Sequence, residues 1–334
     1  MGGRSGRWPA LCAAIVTLVA SMGLLSGPAA ATSPPDGSRI ERIIETDARH
    51  ATLQVYSAAM DRTITMRVLR PERGAPASPV LYLLNGAEDG IGPGGVETSW
   101  GTRTDIDAFT AGRDVNVVNI LDGRYSYYTD WLTDDPILGR NKWTTFLTRE
   151  LPPLVDTVLH ASGRNAIAGV SMSATSVLAL AESAPGLYAA VGSFSGCART
   201  GTDPGRRFVQ AVVASGGGNP WNMWGPDGAP GWQAGDPATA SNLARLRGTA
   251  VYVTAGAPGS EAGTGFAAPG VEDPAAGGML ESVVARCTID LQHATEATGI
   301  AATYHYTPGG LHAWPYWERS LHEAWPEFER ALAG

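Results

Sequence analysis

Asn165-Ala166-Ile167-Ala168-Gly169-Val170-Ser171-Met172-Ser173-Ala174 is a short apolar run that ends abruptly in a serine flanked by small residues. It reads as a strand turning sharply into a helix, a turn that thrusts the serine side chain out at the edge of a sheet. Gly169 and Ser173 matter there because larger side chains collide where strand and helix converge. The usual spacing is G-x-S-x-G, and serine stands here in the fifth position, so the motif alone does not separate a nucleophile from an ordinary turn serine. A serine hydroxyl is a poor nucleophile near neutral pH. It needs a histidine to take its proton and a carboxylate to hold that histidine in the right tautomer.

Of His50, His160, His293, His305, His312 and His322, only His312 follows the last apolar strand in a glycine-rich loop, Gly309-Gly310-Leu311-His312-Ala313-Trp314. From there it can swing over a sheet to Ser171. His305 lies within the expected strand, and His160, His293 and His322 fall on expected helices. In the chain order nucleophile, acid, histidine, the acid is sought beyond the strand at 250–255. Glu261, Glu272, Asp273 and Glu281 all qualify by position, with Glu281 near the start of an apolar-patterned helix that would anchor it. Attack on an ester carbonyl also needs two N–H groups aimed at the oxygen that becomes negative. Met172, just after the serine, and Ala87, in the loop Asn85-Gly86-Ala87 after the strand at 80–84, are the expected donors.

That loop also holds Gly90, Gly92 and Gly95 in G-x-G-x-x-G spacing, but Pro93 interrupts it and no helical pattern opens there, so a dinucleotide site is rejected. No H-E-x-x-H, C-x-x-C pair or comparable spacing of metal ligands appears. Neither cofactor nor metal is expected.

The elements that would position these groups alternate. Between 39 and 70, Ile64, Met66 and Val68 alternate with Thr63, Thr65 and Arg67, which predicts an antiparallel meander with one wet face. Continuous apolar runs follow at 80–84, 115–121, 166–170, 189–194, 250–255 and 301–306, as suits a sheet covered on both faces. Helical spacing appears between Trp143 and Val158, with Asn141 available as a cap, and again at 172–183, 279–298 and 315–332. The alternation predicts an α/β fold of the α/β-hydrolase type: a mostly parallel central sheet with an antiparallel N-terminal meander and helices on both faces. Two long irregular stretches are expected at 86–101 and 196–243. Trp221, Trp224 and Trp232 in the second either line a substrate cleft or pin the loop to the body.

Arg4 and Arg7, the apolar run 11–25 and Ala29-Ala30-Ala31 have the order of a secretory signal, with Cys12 inside it. Ser21, Gly23, Ser26 and Gly27 break the run well short of a bilayer span. The expected organisation is a signal peptide at 1–31, a flexible linker at 32–38 and a single domain at 39–334. No stable membrane span is expected after cleavage, and the protein is expected outside the cell or at its wall. The chain carries 24 basic and 32 acidic residues, and losing Arg4 and Arg7 makes the balance more acidic, which excludes a nucleic-acid partner. Cys197 and Cys287 would remain after export, an even pair expected to bond in an oxidising compartment, with two buried thiols as the alternative.

Several blocks in one order resemble the antigen 85 type mycolyltransferases of mycolic-acid-bearing actinobacteria, within the esterase D family. They are Leu81-Tyr82-Leu83-Leu84-Asn85-Gly86, Tyr128-Thr129-Asp130-Trp131, Lys142-Trp143 with Phe146-Leu147-Thr148-Arg149-Glu150-Leu151-Pro152, Gly169-Val170-Ser171-Met172-Ser173, Met223-Trp224-Gly225-Pro226, and His312-Ala313-Trp314-Pro315-Tyr316-Trp317. The resemblance implies a triad of Ser171, Glu281 and His312, since Met279-Leu280-Glu281 is similar to the family segment that carries the acid, and serine at 173 is normal in that family. It implies transfer of a long branched acyl chain from a trehalose monoester to a second trehalose-bearing acceptor or to arabinogalactan, so glycolipid or acyl-ester substrates and cell-envelope sugars are the expected partners. The family's first-sheet loop reads aspartate-glycine-leucine-arginine, whereas here it is Asn85-Gly86-Ala87-Glu88, which loses one carboxylate and reverses one charge. The family cysteine before the acid is also missing, with Thr254 near its place. Asn85, Glu88 and Trp314 are the expected sugar contacts. Two alternatives stand beside the transferase: a secreted carboxylesterase that uses water, and a non-catalytic, adhesin-like relative, against which the presence of all three triad residues counts.

Overall fold

The computed structural model describes residues 1–3, 37–72, 77–257 and 273–334. The leader with Arg4, Arg7 and Cys12, residues 32–36 of the linker, and the acid candidates Glu261 and Glu272 lie outside the described residues.

The chain opens with three antiparallel strands, β1 (Arg39–Glu45), β2 (His50–Ser57) and β3 (Arg62–Leu69). Ile64, Met66 and Val68 of β3 are buried, and Thr63, Thr65 and Arg67 point the other way, as the alternation predicts. β4 (Val80–Leu84), β5 (Asn116–Ile120), β6 (Asn165–Val170), β7 (Tyr188–Phe194), β8 (Ala250–Gly256) and β9 (Thr303–Thr307) follow and pair in parallel with one another. Among the described residues the nine strands form one sheet in the order β1-β2-β3-β5-β4-β6-β7-β8-β9, with β3 antiparallel to β5. This is the mixed sheet of an α/β-hydrolase. β1, at the edge, is mostly exposed and carries Arg39, Glu41, Arg42 and Glu45, charges that discourage pairing with another chain.

The central strands have no wet face. Tyr82 and Leu84 of β4 enter one apolar cluster with Phe146, Leu147, Val155, Val177 and Leu291. Leu81 and Leu83 enter the opposite one with Trp100, Trp317, Leu321, Trp325 and Phe328. The first layer comes from α1 (Leu151–Leu159), α2 (Met172–Ser183) and α4 (Pro274–Thr298), and the second from α5 (Trp314–Ala333). α3 (Gly205–Ser215) lies in the segment between β7 and β8. Among the described residues no helix is long and apolar enough to cross a membrane.

Three expectations about the elements need correction. The helix beginning at Trp143 is not continuous: residues Phe146–Glu150 form a π turn before α1, where Pro152 and Pro153 cannot donate to the usual ladder. Asn141 does not cap it. Its Oδ1 accepts from the Trp143 indole and its amide donates to the carbonyls of Leu138 and Gly139, while Asp130 accepts from the N–H and hydroxyl of Thr145. The stretch at 196–243 is not irregular either, since it holds α3 and three single-turn helices, Pro220–Trp224, Pro230–Ala234 and Ala240–Leu243. Proline at the first position of two of them hid helix starts behind what reads as loop composition. Trp224 and Trp232 are buried against each other at 5.2 Å, and the Trp232 indole donates to the Gly225 carbonyl, so these two pin the segment; Trp221 is exposed.

Register brings the site together. Leu84 of β4 stands beside Gly169, Val170 of β6 beside Phe194, Phe194 of β7 beside Thr254, and Gly256 of β8 beside Thr307. Five carboxyl ends are therefore level, and the segments that leave them meet along one rim.

Candidate active site

Ser171 sits at the turn between β6 and α2 with φ 55° and ψ −119°, a conformation that side chains seldom adopt. Gly169 permits the turn, because a Cβ there would lie 2.6 Å from Ser173 Oγ and 2.7 Å from its carbonyl oxygen. The fifth-position serine has a task a glycine could not perform. Fully buried Ser173 accepts the Val170 N–H through its hydroxyl and lies 3.1 Å from the Leu84 carbonyl, tying the elbow to β4.

His312 reaches this serine. Its Nε2 lies 2.7 Å from Ser171 Oγ and its Nδ1 lies 2.8 Å from Glu281 Oε2. A carboxylate can only accept, so the proton on Nδ1 faces Glu281 and Nε2 is left to accept from the serine. The histidine and glutamate side chains are 6% and 4% exposed. The Trp317 ring meets the imidazole edge-on at 5.1 Å and 89°, and the His312 N–H donates to the Gly277 carbonyl of α4. The other histidines are occupied elsewhere: His50 between Asp47 and Asp107, His322 on Asp105, and His305 facing Glu323, while His160 ends α1 in a left-handed turn and His293 lies on α4.

Of the acid candidates among the described residues, Glu281 is the one that meets His312. Asp273 caps α4 by accepting from the N–H groups of Ala275 and Ala276, whereas Glu281 is held from three sides. Its Oε1 accepts from the Ser195 hydroxyl at 2.8 Å and the Gly256 N–H at 2.6 Å, and its Oε2 faces His312. Ser195 was missed by sequence reasoning, and the only available signal was its place at the end of an apolar strand. It too has a positive φ, 58°, and its N–H donates to the Thr254 carbonyl. Cys197 and Cys287 are bonded, with their α-carbons 4.9 Å apart. The bond ties the segment that holds Ser195 to the helix that holds Glu281.

The loop after β4 lies against Ser171: a Cβ on Gly86 would stand 3.7 Å from Ser171 Cβ. Among the described residues the N–H groups of Ala87 and Met172 donate to no atom of the chain. A second segment buttresses both. Tyr125, Tyr127 and Tyr128 all have positive φ; the Tyr125 N–H donates to the Ala87 carbonyl, and the Tyr127 N–H donates to Met172 Sδ at 3.4 Å. Three strained tyrosines in four residues carried no sequence signal, because nothing in their types announces positive φ.

Two expected sugar contacts do not face solvent. Asn85 is fully buried; its amide donates to the Ile120 carbonyl at 2.6 Å and its oxygen accepts from Asn119 at 3.2 Å. It joins β4 to β5 rather than meeting a ligand. Trp314 is 9% exposed, wedged between Trp100 at 5.5 Å and Trp317 at 5.2 Å. Glu88 is exposed at the rim, with its carbonyl accepting from Arg124.

Comparison with known proteins places this geometry in company. The Esterase family model matches residues 57–328. The chain is 32% identical to the diacylglycerol acyltransferase/mycolyltransferase Ag85B of Mycobacterium intracellulare, covering 84% of this chain and 82% of that one. It is 30% identical to the Ag85A enzyme of Mycobacterium tuberculosis, covering 84% and 80%. The crystal structure of Mycobacterium tuberculosis MPT51 (FbpC1) superposes with a TM-score of 0.71 at 25% identity, over 86% of this chain and all of that one. An S-formylglutathione hydrolase from Agrobacterium tumefaciens shares the fold, with a TM-score of 0.64 at 14% identity over 88% and 99%.

Proposed function

The chain belongs to the Esterase family, whose chemistry is the making and breaking of acyl esters, and from that premise we propose that Ser171 is the nucleophile of an acyl transfer. The observation that carries the proposal is the unbroken line from Ser171 through His312 to Glu281, at 2.7 and 2.8 Å. Ser171 Oγ attacks the carbonyl carbon of the donor ester while its proton passes to His312 Nε2. Glu281 stabilises the imidazolium that results, and the N–H groups of Met172 and Ala87 receive the oxygen that becomes negative. Collapse breaks the ester bond, the departing alkoxide takes the proton from His312, and the acyl group stays on Ser171. An acceptor hydroxyl then gives its proton to His312 and attacks the acyl carbon; the bond to Ser171 Oγ breaks and His312 returns that proton to Oγ, restoring the enzyme.

The named activity of the relatives supports a mycolyl-type acyl donor; a sugar acceptor such as a trehalose monoester, in an envelope reached by secretion, follows only from the family resemblance and the leader-like residues 4–31. Glu88, exposed on the loop after β4, is the residue there expected to bear on acceptor choice. Water in the acceptor's place gives an esterase by the same steps. Incubating the purified protein with a trehalose monoester decides between them: diester formation is expected, and free acid alone overturns the transferase reading. A fluorophosphonate probe is expected to label the wild type and not Ser171→Ala; an unlabelled wild type overturns the nucleophile and leaves the adhesin-like alternative.

A further inference from the structure

The segment that leaves the carboxyl end of β5 reaches both expected oxyanion donors, and one small side chain inside it holds it closed. Residues 123–128 read Gly-Arg-Tyr-Ser-Tyr-Tyr, with φ of 57° at Tyr125, 54° at Tyr127 and 44° at Tyr128. A left-handed residue other than glycine costs about 1–3 kcal/mol and persists only where its surroundings over-determine it. Ser126 supplies that constraint. It is fully buried; its hydroxyl donates to the Gly123 carbonyl at 2.6 Å and accepts from the Tyr128 N–H at 3.1 Å, and its carbonyl accepts from the Trp131 indole at 2.9 Å. The Tyr128 phenol donates to the Asp122 carbonyl at 2.9 Å, and its ring covers Gly123 so closely that a Cβ there would stand 2.4 Å from it.

The closed segment grips the site on both sides. Toward the loop after β4, the Tyr125 N–H donates to the Ala87 carbonyl at 3.1 Å and the Arg124 guanidinium to the Glu88 carbonyl at 2.9 Å. Toward α2, the Tyr127 N–H donates to Met172 Sδ at 3.4 Å, and the Met172 side chain is fully buried. Ala87 and Met172, the two residues whose N–H groups are the expected donors, are thus each held by a left-handed tyrosine, and the hydroxyl of Ser126 lies between those tyrosines in the chain. The hydrogen bonds of Ser126 go to Gly123, Tyr128 and Trp131 and to none of Ser171, His312 and Glu281, so any effect it has on the reaction passes through the backbone.

We propose that Ser126 is a positioning residue of the acyl-transfer site, whose hydroxyl locks the strap 123–128 and through Tyr125 and Tyr127 holds the Ala87 and Met172 N–H groups where the oxyanion forms. The inference rests on the acyl-serine reading. As Ser171 Oγ bonds to the ester carbon and its proton passes to His312, the carbonyl oxygen takes up the electron pair of the broken π bond and needs both donors within about 2.7–3.1 Å. Alanine at 126 leaves the buried Tyr128 N–H without its acceptor and frees the left-handed run to relax. Loss of one oxyanion donor costs about 10²–10³ in turnover, and donors that shift cost part of that.

The test is Ser126→Ala assayed with p-nitrophenyl butyrate, with turnover expressed per fluorophosphonate-titrated serine so that unfolded protein does not count. The expected result is a fall in kcat of about 5–30-fold with KM within about twofold, a fraction of the full donor loss. An alkyl trifluoromethyl ketone, whose serine adduct places its oxygen on the same donors, supplies the readout that a merely structural role would not move: its inhibition constant is expected to rise by the factor by which kcat/KM falls. Met172→Leu keeps the apolar bulk but removes the sulfur that accepts from Tyr127, and is expected to show the same signature with a smaller loss. If Ser126→Ala does not fold, Met172→Leu must show the kcat loss and the weakened inhibitor by itself. The inference is overturned by unchanged kcat per labelled site, by a loss that appears only in KM, or by a fall in kcat with the inhibitor bound as tightly as before. A wild type that labels and turns over while Ser126→Ala behaves identically sinks this inference alone; a wild type that does neither sinks the acyl-serine reading with it.

Discussion

The surroundings of Glu281 and the loop between β4 and Trp100 are both part of one rim, yet they are built differently. Glu281 is on a helix, nearly sealed from water, with both its oxygens committed and a disulfide beside it. The loop presents Glu88, Ile91 and Val96 to solvent and owes its position to a short two-stranded turn, Gly90–Ile91 with Glu97–Thr98, and to contacts from Tyr125 and Arg124. The proton relay needs fixed distances and is placed on rigid elements. On the proposed reading the loop would meet the acceptor, the partner that differs between an ester, a sugar and water.

Removing the nucleophile should produce the largest effect: Ser171→Ala is expected to lower ester turnover by about 10⁴–10⁶-fold, measured with p-nitrophenyl butyrate, without lowering the melting temperature. A smaller drop would mean that the rigid half does not carry the chemistry. Glu281→Gln should cost about 10²–10⁴-fold by disturbing the histidine tautomer, and Ser195→Ala, which removes one of three donors, only about 3–10-fold, roughly one hydrogen bond to a charged group. Equal losses from the two would show that Ser195 acts on more than the orientation of Glu281.

The disulfide sharpens the same contrast from the side of stability. Replacing Cys197 and Cys287 by serine opens a loop of 90 residues and is expected to lower the unfolding free energy by about 2–4 kcal/mol in denaturant titrations. Turnover of the protein that stays folded should fall too, since the bond joins the holders of the acid; unchanged turnover would limit the bond to a role in stability.

On the loop side, pH is the probe. Burial pushes the carboxyl of Asp89, on the loop after β4, up to about 6 against 3.8 for an ordinary aspartate. Between those values the native state keeps a proton that the unfolded chain has released, so its contribution to stability falls as pH rises across that window. Asparagine does not titrate. The stability of Asp89→Asn relative to wild type should therefore rise between pH 4 and pH 6, by up to about 3 kcal/mol, and a gap that stays flat in melting experiments would show that the group is not held this way. The mildest change is Glu88→Arg, expected to leave p-nitrophenyl butyrate turnover within about twofold while shifting KM for a sugar acceptor several-fold, as reversing an exposed charge allows. A simple-ester rate that falls instead would place Glu88 in the machinery rather than at the rim.

Gly169, Ser171 and His312 were legible in the residues because each sits in a local pattern with one physical reading: a tight elbow, and a histidine in a flexible loop after the last strand. The mostly parallel sheet with its antiparallel N-terminal meander was legible for the same reason, since covered parallel strands are apolar throughout and half-wet ones alternate, whereas the strand order was not. Asn85 and Trp314 were misread because a type that suits a sugar also suits a buried clamp, and only packing distinguishes them. The helices inside 196–243 escaped because proline and glycine begin short helices as readily as they end longer ones.

The sequence by itself determined which strands would be buried and which serine would stand in a tight strand-to-helix turn, because both follow from contacts within a few residues. The partners of that serine are more than a hundred residues away along the chain. Ser195 on Glu281 and the tyrosines behind Ala87 and Met172 came only from the tertiary structure, because hydrogen bonds are set by distance and direction in space, and neither is written in residue types.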